Sequence, residues 1–272
     1  MQRPDDLPQA VLQGLQDPAS QFNLGWSHGK ERLKNGQLDT HKGSFYANPV
    51  LDVPTEDVEL QKRHPAYCRP NVWPTDALPD LERAFKACGR IVTETGLLLA
   101  RRCDELVAAA APGGAVSLAE SLESSVCHKA RLLHYFAEPE PTPRSGPADG
   151  ETASTPRSEC SVPPAPEAED SWCGWHFDHG TLTGLCAALY LTTAGDPVGP
   201  DRLPTGLGLR VRDRTGGTVR VAIPADALAF QIGEAAQVAS GGVLRATAHC
   251  VAGGGAPPGV TRETFAVFMQ PR

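Results

Sequence analysis

The sequence predicts a mostly β chain with helices, a jelly-roll-like double sheet carried on an N-terminal helical region. Three observations predict it. From residue 171 onward, short apolar runs at 173–178, 184–192, 206–212, 218–223, 227–232, 244–251 and 261–269 are separated by Gly, Pro and Asp. Strands recurring about every ten residues are what an antiparallel sandwich or barrel requires. Before them, Leu81, Phe85, Cys88, Val92 and Leu99 recur at helical spacing between Pro79 and Ala111, and Pro112-Gly-Gly ends that helix. Between the two regions, residues 138–170 hold eight prolines and no aromatic residue, so they cannot bury enough apolar surface to offset ordering.

Each element follows from these signals. Residues 1–75 read as irregular and polar, with Lys42 to Pro49 as an ordered loop or short strand. A second, shorter helix starts at Ser117 as its cap and stops before the strand-like run 130–136. The expected organisation is therefore residues 1–137 as a helical and irregular support whose last strand, 130–136, joins the barrel. Residues 138–170 are expected to be a disordered linker insertion, and residues 171–272 the jelly-roll core.

Bulk properties narrow the function classes. A net charge of −7 and a pI near 5.6 leave no basic face for phosphates, so nucleic acid is not expected as a partner. The eight cysteines include no C-x-x-C pair and read as reduced thiols in a cytosolic setting. The N-terminus resembles neither a signal nor a transit peptide, and no apolar run reaches the roughly 18 residues of a membrane span. The expectation is a soluble, cytoplasmic, monomeric protein that does not engage a membrane. Nucleotide-binding glycine motifs and the elbow-serine motif are absent.

Chemistry concentrates in three segments. In Trp172-Cys-Gly-Trp-His-Phe-Asp178, His176 and Asp178 lie two apart, which on a strand places both on one face. The pair is either two ligands for a divalent metal or a surface ion pair, and H-x-D arises by chance about half a time in such a chain. In Leu244-Arg-Ala-Thr-Ala-His-Cys-Val251, Thr247, His249 and Val251 share a face, and His249 is either a core histidine or a third ligand. A 2-His-1-carboxylate set leaves three octahedral positions open, the arrangement of non-haem Fe(II) oxygen chemistry. In Thr261-Arg-Glu-Thr264, Arg262 and Thr264 share a face and together can grip one carboxylate. A buried strand is a costly place for an unpaired guanidinium, so a bound anion is its expected partner.

In this order, the segments resemble the Fe(II)/2-oxoglutarate oxygenases of the isopenicillin N synthase-like class. Asp178-His-Gly-Thr-Leu-Thr-Gly-Leu185 is similar to that family's D-x-x-x-L-T-x-L strand, and Gly206-Leu-Gly-Leu-Arg-Val211 to its G-L-Q-V strand. Ile232-Gly-Glu-Ala-Ala-Gln-Val-Ala-Ser-Gly-Gly242 resembles its I-G-D hairpin leading to the third ligand, and Ala130 to Phe136 its strand before the barrel. The resemblance implies a double-stranded β-helix core and a dioxygenase that oxidises, by hydroxylation, a small organic metabolite with O2, releasing succinate and CO2. It implies iron on His176, Asp178 and His249, and 2-oxoglutarate on Arg262 and Thr264 with Tyr135 beside it. His134, Phe136 and Phe268 are implied as substrate-pocket residues, with His134 standing where several members carry Asn. Thr264 stands where Ser is usual, and the stretch between 136 and 172 is longer than the family norm. The sequence stops after the arginine strand where many relatives continue, so either the pocket is more open or the chain is a fragment. Two other readings stay open: an Fe(II) oxidase of the same fold using Arg262 for its substrate's own carboxylate, and a jelly roll that binds a ligand without turnover.

Overall fold

In a computed structural model, the chain is described over residues 7–32, 36–111, 116–137, 171–253 and 255–272. The expected linker at 138–170 lies outside the described residues. The elements, in chain order, are α1 (Gln9–Gly14), β1 (Gly25–His28), β2 (Lys42–Ala47), α2 (Val58–Arg63), α3 (Pro65–Cys68), α4 (Leu81–Ala110) and α5 (Leu118–Glu123). Then come β3 (Lys129–Tyr135), β4 (Ser171–His176), β5 (Leu182–Cys186), β6 (Leu189–Thr192), β7 (Gly208–Arg212) and β8 (Thr218–Arg220). The chain closes with β9 (Leu228–Ile232), α6 (Glu234–Ala239), β10 (His249–Ala252) and β11 (Val260–Met269).

The strands form two antiparallel sheets. The larger runs β1-β2-β3-β11-β5-β9, with β6 also pairing β11, and the smaller runs β4-β10-β7-β8. The mostly β architecture with helices is thus as expected, but two features differ. Residues 1–75, read as irregular but for an ordered loop or short strand from Lys42, supply two strands of the larger sheet, β2 being that short strand, and the expected run 184–192 divides into β5 and β6.

The N-terminal strands escaped a polarity reading because polar side chains occupy a buried face. Lys42, Ser44 and Tyr46 pair across β2–β3 with Tyr135, Leu133 and Arg131, and all six side chains share one face of the sheet. There Glu31 joins Lys42 at 2.9 Å and Arg131 at 2.6 Å, and it accepts the Tyr46 hydroxyl at 2.8 Å. Arg131 also donates to Ser44 Oγ through Nε at 3.0 Å, and Lys42 reaches Asp39 at 2.9 Å. Burial alone would raise the Glu31 pKa, but Arg131 and then Lys42 hold it down to about 2. A depressed carboxyl stabilises the fold above its unfolded value of 4.5 and loses that contribution as pH falls towards 2. Glu31→Gln is therefore expected to flatten the acid limb of unfolding midpoint against pH between those values. An unchanged acid limb would show that the cluster does not titrate as described. The Glu31 side chain is 40% exposed, so solvent screening keeps the size of the effect modest.

The opposite face of the larger sheet carries the main core. Phe45 of β2 and Phe265 of β11 meet Trp73 and Phe85 in edge-on and tilted ring contacts with centroids 5.0–5.8 Å apart. The buried stripe of α4 is Phe85, Gly89, Val92, Gly96, Ala100, Cys103 and Val107, at the three-and-four spacing of one helix face. Small residues set the depth of packing here: a Cβ on Gly96 would come within 2.3 Å of Met269 Sδ. Ser117 caps α5 as expected, accepting from Glu120 N at 3.1 Å. The molecule thus has a helical layer, the larger sheet and the smaller sheet, with a second apolar cluster of Leu133, Tyr135, Ala266, Trp172, Leu207 and Val251 between the sheets. Among the described residues, no helix is long and apolar enough to cross a membrane.

Candidate metal centre

The smaller sheet positions two histidines. His176 ends β4, His249 begins β10, and the two are direct cross-strand partners, with ring centroids 4.2 Å apart. Asp178 lies just beyond the end of β4 rather than on it, so the loop path, and not the strand period, brings its carboxylate to the same side. Its Oδ1 stands 3.8 Å from His176 Nε2 and 3.7 Å from His249 Nε2. These separations are too long for direct hydrogen bonds. One donor atom from each of the three residues lies within 4.8 Å of the others, a spacing a single ion can bridge.

The backbone selects which imidazole nitrogen faces inward. His176 Nδ1 lies 2.8 Å from the Gly174 carbonyl and His249 Nδ1 lies 3.0 Å from the Thr247 carbonyl. A carbonyl only accepts, so each Nδ1 carries a proton, and each Nε2 is the nitrogen that faces Asp178 and is placed to ligate a cation. Asp178 is 8% exposed and its Oδ2 has no hydrogen-bond partner among the described residues. A buried carboxylate oxygen without a hydrogen-bond partner beside two imidazole Nε2 atoms fits a divalent cation, and two nitrogens with one carboxylate is the donor set of non-haem iron. The Cys173 thiol beside Nδ1 pushes the His176 pKa up to about 9, assisted by the Gly174 carbonyl and Asp178 and opposed by burial. Burial holds His249 below the usual histidine value. A cation must therefore displace a proton from His176 at neutral pH.

The loop that carries Asp178 is stitched to α6. Glu234 N donates to the Asp178 carbonyl at 2.8 Å, Gly233 N to Thr181 O at 3.1 Å, and Thr181 N to Met269 O at 2.9 Å. The segment expected as a hairpin, 232–242, is thus largely a short helix whose first N–H groups grip this loop. A Cβ on Gly233 would stand 2.1 Å from the Gly180 carbonyl oxygen and 2.9 Å from that of Asp178. Gly233→Ala is therefore expected to displace the loop and weaken metal binding by roughly 10- to 100-fold, the range seen when groups supporting metal ligands are lost. Isothermal titration with Fe(II) or Mn(II) checks it, and unaltered affinity would mean that the loop yields without cost.

A cavity of about 330 Å3 opens between the two sheets and is lined by His176, Asp178 and His249. Arg262, Thr264 and Phe268, on one face of β11, line it as well, as does Tyr135 of β3. Arg262 is 6% exposed, and its Nε and Nη1 find no hydrogen-bond partner among the described residues. Its guanidinium lies over the Tyr135 ring at 5.1 Å, and Trp172 stacks on the same ring at 5.2 Å. His134 and Phe136, named from sequence as pocket residues, do not line the cavity. Next to Tyr135 on its strand, His134 takes the opposite sheet face and meets Glu263 at 2.7 Å, while Phe136 packs on His134 and His28. His179 is an exposed surface residue paired with Glu234 at 2.5 Å. The sequence reading missed Thr183, Gln231 and Arg131 on the cavity wall. Period-2 counting was the available signal, since Gln231 is the lone polar side chain in Leu228-Ala-Phe-Gln-Ile232.

No protein-family model matches the sequence, and a search of curated proteins finds no match. Solved structures do match. A Caulobacter crescentus protein assigned to the 2OG-Fe(II) oxygenase family aligns over 98% of this chain and 70% of its own, with a TM-score of 0.59 and 19% identity. A full-length Neurospora crassa protein, solved in complex with alpha-KG, aligns over 98% of this chain and 66% of its own, with a TM-score of 0.56 and 15% identity. The Arabidopsis thaliana dioxygenase for auxin oxidation 1, as its 2-oxoglutarate complex, aligns over 99% and 74%, with a TM-score of 0.54 and 14% identity. The chain spans about two thirds of the Neurospora crassa chain. Its fold is that of the 2-oxoglutarate and Fe(II) oxygenases.

Proposed function

We propose that the chain is a non-haem Fe(II)- and 2-oxoglutarate-dependent dioxygenase that hydroxylates a small organic molecule. In this reading the two facing sheets are the double-stranded β-helix core. One observation carries the proposal. Two imidazole nitrogens and a carboxylate converge on one wall of a cavity, and a buried guanidinium whose Nε and Nη1 have no hydrogen-bond partner among the described residues stands on the opposite wall.

His176 and His249 would hold iron through Nε2 and Asp178 through its carboxylate. Iron held there supplies O2 activation coupled to oxidative decarboxylation of 2-oxoglutarate to succinate and CO2. Arg262, with the Thr264 hydroxyl, takes the far carboxylate of 2-oxoglutarate, which relieves the desolvated guanidinium. Tyr135, stacked on Trp172, forms a rigid platform under Arg262 and fixes the direction of its fork. Leu133, Leu185, Val251 and Ala266 make the surrounding wall apolar, which excludes water and strengthens the charge contacts.

Succinate formation from 2-oxoglutarate, with Fe(II) and ascorbate under air, tests this reading. Iron-dependent succinate is expected from the full chain and none from His176→Ala. Iron uptake with O2 consumption but no succinate would favour an oxidase that uses Arg262 for its substrate. No iron uptake would leave a ligand-binding barrel.

A further inference from the structure

Two buried polar groups in the cavity belong neither to the metal triad nor to the Arg262–Thr264 pair. Thr183 on β5 and Gln231 on β9 are direct cross-strand partners and both line the cavity. Thr183 is 2% exposed and Gln231 8%, and Thr183 Oγ1 and Gln231 Oε1 have no hydrogen-bond partner among the described residues. On the other side of Thr183, Phe268 of β11 is its cross-strand partner. Phe268, Thr183 and Gln231 thus form one row across three strands, an aromatic ring followed by two polar groups, with neighbouring strands about 4.8 Å apart.

Leaving two such groups dry and unpaired is costly, because each has given up its hydrogen bonds to water. The row also sits next to the triad. Thr183 follows Asp178 on the same loop-to-strand segment, and Gln231 precedes Gly233, whose N–H and that of Glu234 hold the triad's loop. Thr264 lies four residues from Phe268 along β11, about 13 Å in a strand. Thr183 pairs with Phe268 and Gln231, and neither Thr183 nor Gln231 pairs with Arg262 or Thr264, so 2-oxoglutarate affinity measured in their variants separates a co-substrate role from substrate recognition.

We infer that Thr183 and Gln231 are the substrate-recognition pair, and that the substrate is a neutral molecule presenting an amide or lactam N–H, or a hydroxyl, to Gln231 Oε1. The inference rests on the oxygenase reading and names its substrate class. The row holds no charged side chain, so it discriminates against ions. In the orientation it holds, Gln231 presents Oε1, an acceptor that a ligand donor satisfies, while the Thr183 hydroxyl can serve either way. Phe268 offers a flat apolar face to a ring in the same row. A site built around buried hydrogen-bonding groups rejects an analogue lacking the donor, because its own groups then stay unpaired.

The test uses the full chain loaded with Zn(II), so that no turnover occurs, and 2-oxoglutarate. Ligand-observed NMR titration compares δ-valerolactam with its N-methyl derivative in wild type, Gln231→Leu and Thr183→Val. Wild type is expected to prefer the N–H lactam by about 10-fold or more. Gln231→Leu should abolish the preference and Thr183→Val reduce it, with unchanged 2-oxoglutarate affinity and an unchanged or higher Tm. The inference is overturned by equal or undetectable binding of both lactams to wild type. It is equally overturned by variants that keep the preference while losing Tm, which marks a structural pair, or by variants that lose 2-oxoglutarate affinity. Wild type failing to bind 2-oxoglutarate sinks the oxygenase reading itself. Binding of 2-oxoglutarate without lactam discrimination sinks only the recognition pair.

Discussion

Asp178→Ala is expected to abolish iron binding while leaving the protein folded. The substitution removes the one anionic donor and leaves two neutral imidazoles, which alone neither offset the dication's charge nor complete the facial set. Loss of a group that merely supports a ligand costs about 10- to 100-fold in metal affinity, so loss of this carboxylate should cost at least ~100-fold. The folded state should not suffer. Asp178 Oδ2 is buried with no hydrogen-bond partner among the described residues, and the desolvation cost removed with it offsets the loss of the long Oδ1 contacts to His176 and His249. The variant should therefore show an equal or higher Tm without metal, lose the metal-induced rise in Tm, and form no succinate. Anaerobic Fe(II) titration followed by thermal unfolding measures both quantities. Retention of tight iron binding would place the metal elsewhere.

Arg262→Leu should produce the second largest effect, and of a different kind. A guanidinium paired with a carboxylate in a dry site carries about 2–5 kcal/mol when one partner is truncated, equivalent to roughly 30- to 4,000-fold. The expected result is a KM for 2-oxoglutarate raised at least ~30-fold, with iron affinity unchanged because Arg262 stands on the other sheet. Without ligand the variant should be no less stable than wild type, since the buried guanidinium has Nε and Nη1 without partners. Steady-state kinetics against 2-oxoglutarate with a metal titration in parallel separates the two sites. A KM within a factor of two of wild type would assign Arg262 to the substrate or to packing.

The sequence made the ligands and the arginine strand legible because each sits in a short, chemically unusual segment. The order His176, Asp178, His249, Arg262 carried what no single spacing could. β3 to β11 were largely readable from apolar runs, and α4 from its period. What stayed hidden has physical causes. β2 was open as an ordered loop or short strand because Lys42, Ser44 and Tyr46 put polar side chains on its buried face, and β1 was lost in a segment counted as polar. The family resemblance implied His134 and Phe136 as pocket residues, whereas strand alternation turns His134 away while Tyr135 faces the cavity. Thr183 and Gln231 meet only because β5 pairs with β9, a register no local pattern reveals. Asp178 reached the site by a different route than expected, through a loop pinned from α6.

That pinning has a further consequence. The two histidines belong to one sheet, yet the carboxylate between them is fastened by Thr181 N to the Met269 carbonyl at the end of β11, in the other sheet. The metal centre is therefore a second joint between the two sheets besides the apolar cluster packed between them, and β11 is a shared beam carrying the Asp178 loop at one end and Arg262 toward the other. Any sliding of the sheets would change the carboxylate's reach to both histidines. Metal occupancy would then act as a bolt, resisting the opening of the same crevice that must admit the substrate.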